Sequence, residues 1–234
     1  MLPGWYNTRM AIKQPAVHDK THIEKVEILA PPRFEPTGEV KTAKQAIADG
    51  NWLSSVNFWL YTRSPEPSLI CQFRSPYALW EPGKLDLVAA AGHYKVGEKG
   101  LDGLHELHEE LGVKIPKSAF QLFGRKLNVG VDAKGNERRW HITVYTAEYT
   151  GTIQDMKLQE YEVHGVFQVP LKPLMQVLHG ELESFEVHGL DAHRQPLAYT
   201  ITADCLPYNF DDYQQKMAEY IACKLGVDDA YLGN

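Results

Sequence analysis

Residues 92–113, GHYKVGEKGLDGLHELHEELGV, decide the reading of this chain. From about residue 99 to 111, Leu101, Leu104, Leu107 and Leu111 recur at the spacing of one apolar helical face. At roughly 100° per residue, Glu106, Glu109 and Glu110 fall within an arc of about 100°, because positions i, i+3 and i+4 are neighbours on a helix surface. Like charges so placed repel one another by roughly a few tenths of a kcal/mol per pair. A bound cation reverses that sign, and hard oxygen ligands on a rigid helix suit Mg²⁺ or Mn²⁺. The competing reading is the solvated acidic face of an amphipathic helix. Against it stands the preceding GHYKVGE, whose glycines permit close backbone approach on the carboxylate side.

Working outward, LDLVAAAG (85–92) is an apolar run of strand length that should be buried on both faces. SSVNFWLY (54–61) has the β-branched and aromatic content of a strand, and LICQF (69–73) reads as its partner. A short helix is expected over 42–49, ended by Gly50. Residues 1–20 show no sustained period, and Pro31-Pro32 breaks the short strand of HIEKVEIL, so this part reads as an extension. Downstream, KLNVGV and RRWHITVYTAEY flank the turn DAKGN (132–136) as a long hairpin, and EVHGVFQV (162–169) is another strand. LKPLMQVLH before Gly180 predicts a helix, ESFEVHG and PLAYTIT a second hairpin, and 211–225 an amphipathic terminal helix stopped by Gly226. Together these elements predict an α/β fold, a mixed sheet covered by helices. The expected divisions are an N-terminal extension (1–50), a main domain (51–205) and a C-terminal helical extension (206–234).

Composition bounds the function. The 234 residues, 44% hydrophobic and 23% charged, suffice for a sizeable core in one domain with extensions. A net charge of -6 and a pI of about 5.9 leave no basic surface for a long nucleic acid. Cys71, Cys205 and Cys223 are scattered, odd in number and in no CxxC pair, which argues against a disulfide framework or a zinc site. With neither a signal-peptide core nor a membrane-length apolar run in the sequence, a soluble cytoplasmic protein is expected.

The 92–113 stretch resembles the Nudix box, the signature of diphosphate-cleaving hydrolases. It supplies Gly92, five residues, Glu98, six residues, and then His105-Glu106-Leu107-His108-Glu109-Glu110-Leu111-Gly112-Val113. The interval after Glu98 is one residue shorter than the family's, and His105 stands where the family has Arg. By analogy that Arg holds a motif Glu in place; a histidine is shorter, lacks the guanidinium fork and is mostly neutral above about pH 6.5. The resemblance implies a Nudix-type α/β/α sandwich and Mg²⁺-dependent, or Mn²⁺-dependent, hydrolysis of a diphosphate linkage in a nucleoside diphosphate derivative or related small molecule. Glu109 and Glu110 become principal metal ligands, Glu106 a ligand or general base, and the Ala91 carbonyl a further metal contact, while Glu98 is structural.

Over about residues 26–181 the chain looks like the Nudix branch of isopentenyl-diphosphate isomerases and their hydrolase-like relatives. The isomerase cysteine position is Ala91 here, and an expected metal-binding histidine is Leu53, which argues against isomerisation. Their Glu-x-Glu-Val survives as Glu160-Tyr161-Glu162-Val163, and the histidine after the box glycine as His93. Glu160 and Glu162 are second-tier metal candidates, expected to point the same way from a strand. Arg138, Arg139 and Trp140 are candidates for phosphate binding and ring stacking, with Trp80 of similar standing. His105 and His108 form HExH, not the HExxH of zinc enzymes, and no P-loop is present. Besides a diphosphatase, two readings stay open: a catalytically weak Nudix-fold binding or regulatory protein, and an isomerase relative. A homodimer is a further expectation.

Overall fold

The computed structural model describes residues 23–78, 81–131, 137–206 and 212–227. Strand β3 (Trp52–Thr62) runs through the middle of the sheet, and its alternation defines the two sides of the molecule. Val56, Phe58 and Leu60 face one side, where they pack with Ile70, Leu107 and Leu111. Trp59 and Tyr61 face the other, against Leu69, Phe167, Val169, Met217 and Ile221. Burying each such side chain contributes roughly 1.5–3 kcal/mol, so a strand covered on both faces is the strongest anchor the chain has.

β8 (Glu137–Glu148) lies parallel along one edge of β3, and β7 (Gln121–Val131) pairs antiparallel outside it. Three segments share the other edge, all antiparallel: β1 (Lys25–Ala30), β6 (Ala90–His93) and β4 (Ser68–Arg74). β2 (Glu35–Thr42) adds to β1, while β5 (Leu85–Asp86) and β9 (Val163–Pro170) pair with β4. β10 (Phe185–Asp191) and β11 (Pro196–Ile201) extend the sheet beyond β9. Among the described residues these strands form one eleven-stranded mixed sheet. Helix α1 (Ala43–Ala48) is capped by Thr42, whose hydroxyl accepts the Gln45 N–H, and packs under β1. Helix α2 (His105–Leu111) covers the Val56 side. Helices α3 (Leu171–Leu178) and α4 (Tyr213–Lys224) cover the Trp59 side, completing an α/β/α sandwich.

Three expectations change. The single helix over 99–111 is a 3₁₀ turn, Gly100–Leu104, followed by α2. The turn lies so close to β3 that a Cβ on Gly103 would sit 2.7 Å from Val56 Cγ1. Accordingly Leu107 and Leu111 are fully buried while Leu101 and Leu104 are only half-buried. The apolar run 85–92 is two short strands, because Asp86 accepts the Val88 N–H at 3.1 Å and bends the chain from β4 across to β3. Finally, the described part of the N-terminal extension contributes β1 and the unanticipated β2 to the same sheet. Residues 1–20, Trp80, the turn 132–136 and Asp211 lie outside the described residues. Among the described residues, no helix is long and apolar enough to cross a membrane.

Candidate active site

Gly112 ends α2 in the left-handed conformation, φ 69°, and a Cβ there would sit 2.9 Å from that of Lys157. The carbonyls left open at the helix end are taken by the loop that follows β8: Lys157 N–H donates to Leu111 O and Gln159 N–H to Glu110 O, each at 2.9 Å. This docking carries Glu162 to the side of Glu110.

Glu106 and Glu110, one helical turn apart, are both buried. Glu110 Oε1 accepts the Ala91 N–H at 3.3 Å and Oε2 accepts from Gln72 Nε2 at 3.2 Å. Burial, then the Glu162 and Glu106 carboxylates, push its pKa well above the usual carboxylate range, with Arg74 opposing. Glu106 lies against the backbone of β6: a Cβ on Gly92 would be 2.1 Å from its Cδ and Oε1. Only glycine leaves room for that carboxylate. The Gly92 carbonyl is held by Ser55 Oγ, which donates to it at 2.6 Å. Glu109 is half-exposed and reaches Lys95 Nζ at 3.8 Å, so it stands at the rim rather than beside the buried pair.

His105 differs from the expectation of a neutral side chain. Its Nδ1 is 3.0 Å from the Asp102 carbonyl and its Nε2 is 3.3 Å from Glu106 Oε1. Both neighbours are acceptors, an arrangement that favours the doubly protonated ring. The Nε2 contact is an ion pair without good hydrogen-bond alignment. The Glu106 carboxylate foremost, then the Asp102 carbonyl and Glu98, raise the His105 pKa to about 9 against the opposing effect of burial. An imidazolium therefore occupies the position of the box arginine and holds Glu106. Glu98 is structural in its contacts, accepting the Lys95 N–H at 2.8 Å.

The donor set suits a hard divalent cation. Glu106, Glu110 and Glu162 offer carboxylate oxygens, and Gln72 Oε1 is buried without a hydrogen-bond partner among the described residues. The repulsion that raises Glu110 is what such a cation relieves. As placed, no three His, Cys, Asp or Glu side chains among the described residues are gathered closely enough to hold a metal. Mg²⁺ keeps several waters and needs only one or two carboxylates.

The other candidates divide. Glu160 and Glu162 lie in the turn before β9, so strand alternation does not align them: Glu162 joins Glu110, whereas Glu160 reaches His193 Nε2 at 3.3 Å. Arg138 and Trp140 share a face of β8, the guanidinium 5.3 Å from the indole centroid and 3.8 Å from Glu81 Oε1. Trp140 meets His93 edge-on at 5.3 Å, and burial pushes the His93 pKa down to about 4, so that ring is neutral. Arg139 points to the opposite face and pairs with Glu137. Leu53 is fully buried in the core. Sequence reasoning missed Gln72 and Ser55; the usable signal was a polar side chain inside an apolar strand, as in LICQF.

An acidic helix packed on one face of a mixed sheet, inside an α/β/α sandwich, defines the domain. The chain is 27% identical over 184 aligned residues to an uncharacterized Nudix hydrolase of Clostridium acetobutylicum, covering 74% of this chain and 86% of that one. It is 30% identical over 175 residues to Nudix hydrolase 3 of Arabidopsis thaliana, covering 73% of this chain but 22% of that longer protein. The fold matches that of Deinococcus radiodurans DR0079, with TM-score 0.51, 19% identity and coverage of 67% and 90% of the two chains. No protein-family model matches. The chain is thus similar in sequence to Nudix hydrolases and shares the fold of DR0079.

Proposed function

We propose that this protein is an Mg²⁺-dependent Nudix hydrolase, also served by Mn²⁺, that cleaves a diphosphate linkage in a nucleoside diphosphate derivative or related small molecule. The observation that carries the reading is the burial of Glu110 between Glu106, Glu162 and the Ala91 amide. A stability-selected core would not retain three adjacent acids there. Glu106, Glu110 and Glu162 would hold the cation, with Glu109 at its solvent side and the Ala91 carbonyl as a further oxygen; Glu160 is a weaker ligand candidate because of its contact with His193. When bound, the ion supplies charge neutralisation on the diphosphate and orients the attacking water. Glu106, oriented by His105, is placed to accept that water's proton. Arg138 and Trp140 contact the substrate, and Arg139, on the other face, serves only at the strand edge.

Kinship with the isomerase-like branch rests on the sequence resemblance, and the reaction is hydrolysis because Ala91 brings no thiol. The binding-protein reading draws on His105 and on the shortened interval after Glu98; the raised His105 pKa weighs against the first of these. Residues 51–205 would form the catalytic domain, in the cytoplasm. The exposed aliphatic row Leu127, Val129 and Val131 on the outer strand β7 supports a homodimer. Turnover of a panel of nucleoside diphosphate derivatives with Mg²⁺, comparing wild type with Glu106→Gln and Glu110→Gln, tests the reading. Turnover unaffected by both substitutions overturns it.

A further inference from the structure

Strand β4 is buried from Ser68 to Gln72, and Leu69, Ile70 and Cys71 are the apolar residues that a strand covered on both faces requires. Gln72 breaks that run. It is only 2% exposed, it shares the face of Ile70 two residues before it, and its partner across β9 is Val166. Ile70 and Val166 both belong to the apolar cluster that packs α2. An amide in such surroundings has lost its hydration, and it costs stability unless both of its ends find partners.

One end has a partner. Gln72 Nε2 donates to Glu110 Oε2 at 3.2 Å while the Ala91 N–H donates to Oε1 at 3.3 Å, so each oxygen of the buried carboxylate takes a neutral donor. A lysine at this position would neutralise Glu110 and compete with a cation for it; an amide fixes the oxygen and leaves the charge in place. The other end has none: Gln72 Oε1 is buried without a hydrogen-bond partner among the described residues. Held by the Nε2 bond, this oxygen is a fixed acceptor beside a carboxylate that Glu106 and Glu162 also approach. It calls for a donor hydrogen, and water on a hard divalent ion supplies one, because Mg²⁺ keeps several waters when carboxylates bind it.

We infer that Gln72 is a positioning residue of the metal site: its Nε2 fixes Glu110, and its Oε1 accepts from a water of the bound ion. This rests on the metal-site reading above.

The test measures Mn²⁺ affinity without substrate, from the electron paramagnetic resonance signal of the free ion, in wild type, Gln72→Met and Gln72→Glu, with metal-free melts to establish folding. Methionine keeps the unbranched shape of glutamine but has no donor and only a weak acceptor. Mn²⁺ should bind Gln72→Met about 10- to 100-fold more weakly than wild type, the usual effect of removing a partner that orients a metal ligand. Gln72→Glu should have a lower metal-free Tm than wild type and a larger gain in Tm from Mn²⁺, because another carboxylate adds repulsion that the ion relieves. If Gln72→Met does not fold, Gln72→Glu decides alone. Unchanged Mn²⁺ affinity in Gln72→Met, or a Mn²⁺-induced gain in Tm of Gln72→Glu no larger than that of wild type, overturns the inference and leaves the metal site standing. A wild type that binds neither Mn²⁺ nor Mg²⁺ overturns the metal-site reading and this inference with it.

Discussion

His105 Nε2 lies 3.3 Å from Glu106 Oε1 while its Nδ1 faces the Asp102 carbonyl at 3.0 Å, so an imidazolium holds the carboxylate that rests on Gly92. Loss of that cation should cost about 10- to 100-fold in activity, the usual effect of removing a partner that orients a metal ligand. His105→Gln is expected to show this loss and His105→Arg to recover part of it. Equal activity in wild type and His105→Gln would show that Glu106 needs no such support.

The same pair sets a pH dependence of stability in the metal-free protein. The folded pKa of His105 is raised to about 9 from an ordinary value of 6.5, so its contribution is fully present below 6.5 and lost as pH rises through 9. In EDTA, the Tm of wild type should fall between pH 6.5 and 9 more steeply than that of His105→Gln. Parallel curves would remove His105 from the account.

Glu110 carries the opposite balance between stability and activity. Its folded pKa is raised by burial and by Glu162 and Glu106, so its contribution is present below about pH 4.5 and lost as pH rises through the raised value. Without metal, burial beside Glu162 and Glu106 penalises the Glu110 carboxylate, and Glu110→Gln should raise the Tm at alkaline pH. With Mg²⁺ the same substitution should abolish most turnover. A lower metal-free Tm for Glu110→Gln would contradict the strain assigned to this group.

Gly92→Ala places a methyl 2.1 Å from the Glu106 carboxylate. The carboxylate must move, since the Gly92 backbone is fixed by its pairing with Val56 and by Ser55. A displacement near 1 Å at a reacting group costs about 100-fold, and overpacking costs about 1–3 kcal/mol in stability. The prediction is checked by kcat and thermal melts together; wild-type kcat would refute the close approach.

Leu107→Ala probes what holds α2 in place. Leu107 is fully buried against Val56, Phe58 and Leu60, and its truncation should cost about 2–5 kcal/mol. Chemical denaturation measures the loss, and a cost below about 1 kcal/mol would mean that α2 is held mainly by its end contacts.

Local pattern alone determined a good deal. The strand at 54–61, the long hairpin of β7 and β8, the helix stops at Gly50 and Gly180 and the one-turn spacing of Glu106 and Glu110 follow from neighbours within a few residues, and the structure bears each of them out. Tertiary structure decided what depends on residues far apart in sequence. Glu162 reaches Glu110 because a distant loop donates its amides to the end of α2, while Glu160, two residues away, reaches His193 instead. His105 looked neutral from its ordinary pKa, which is raised to about 9 because folding sets a carboxylate and a carbonyl against its two nitrogens. Tyr213 ties α4 to β3 across more than 150 residues, its hydroxyl accepting from Asn57 and Trp59. Periodicity encodes which way a side chain points from its own element; the partner it meets, and hence its charge and role, is set only when the elements pack.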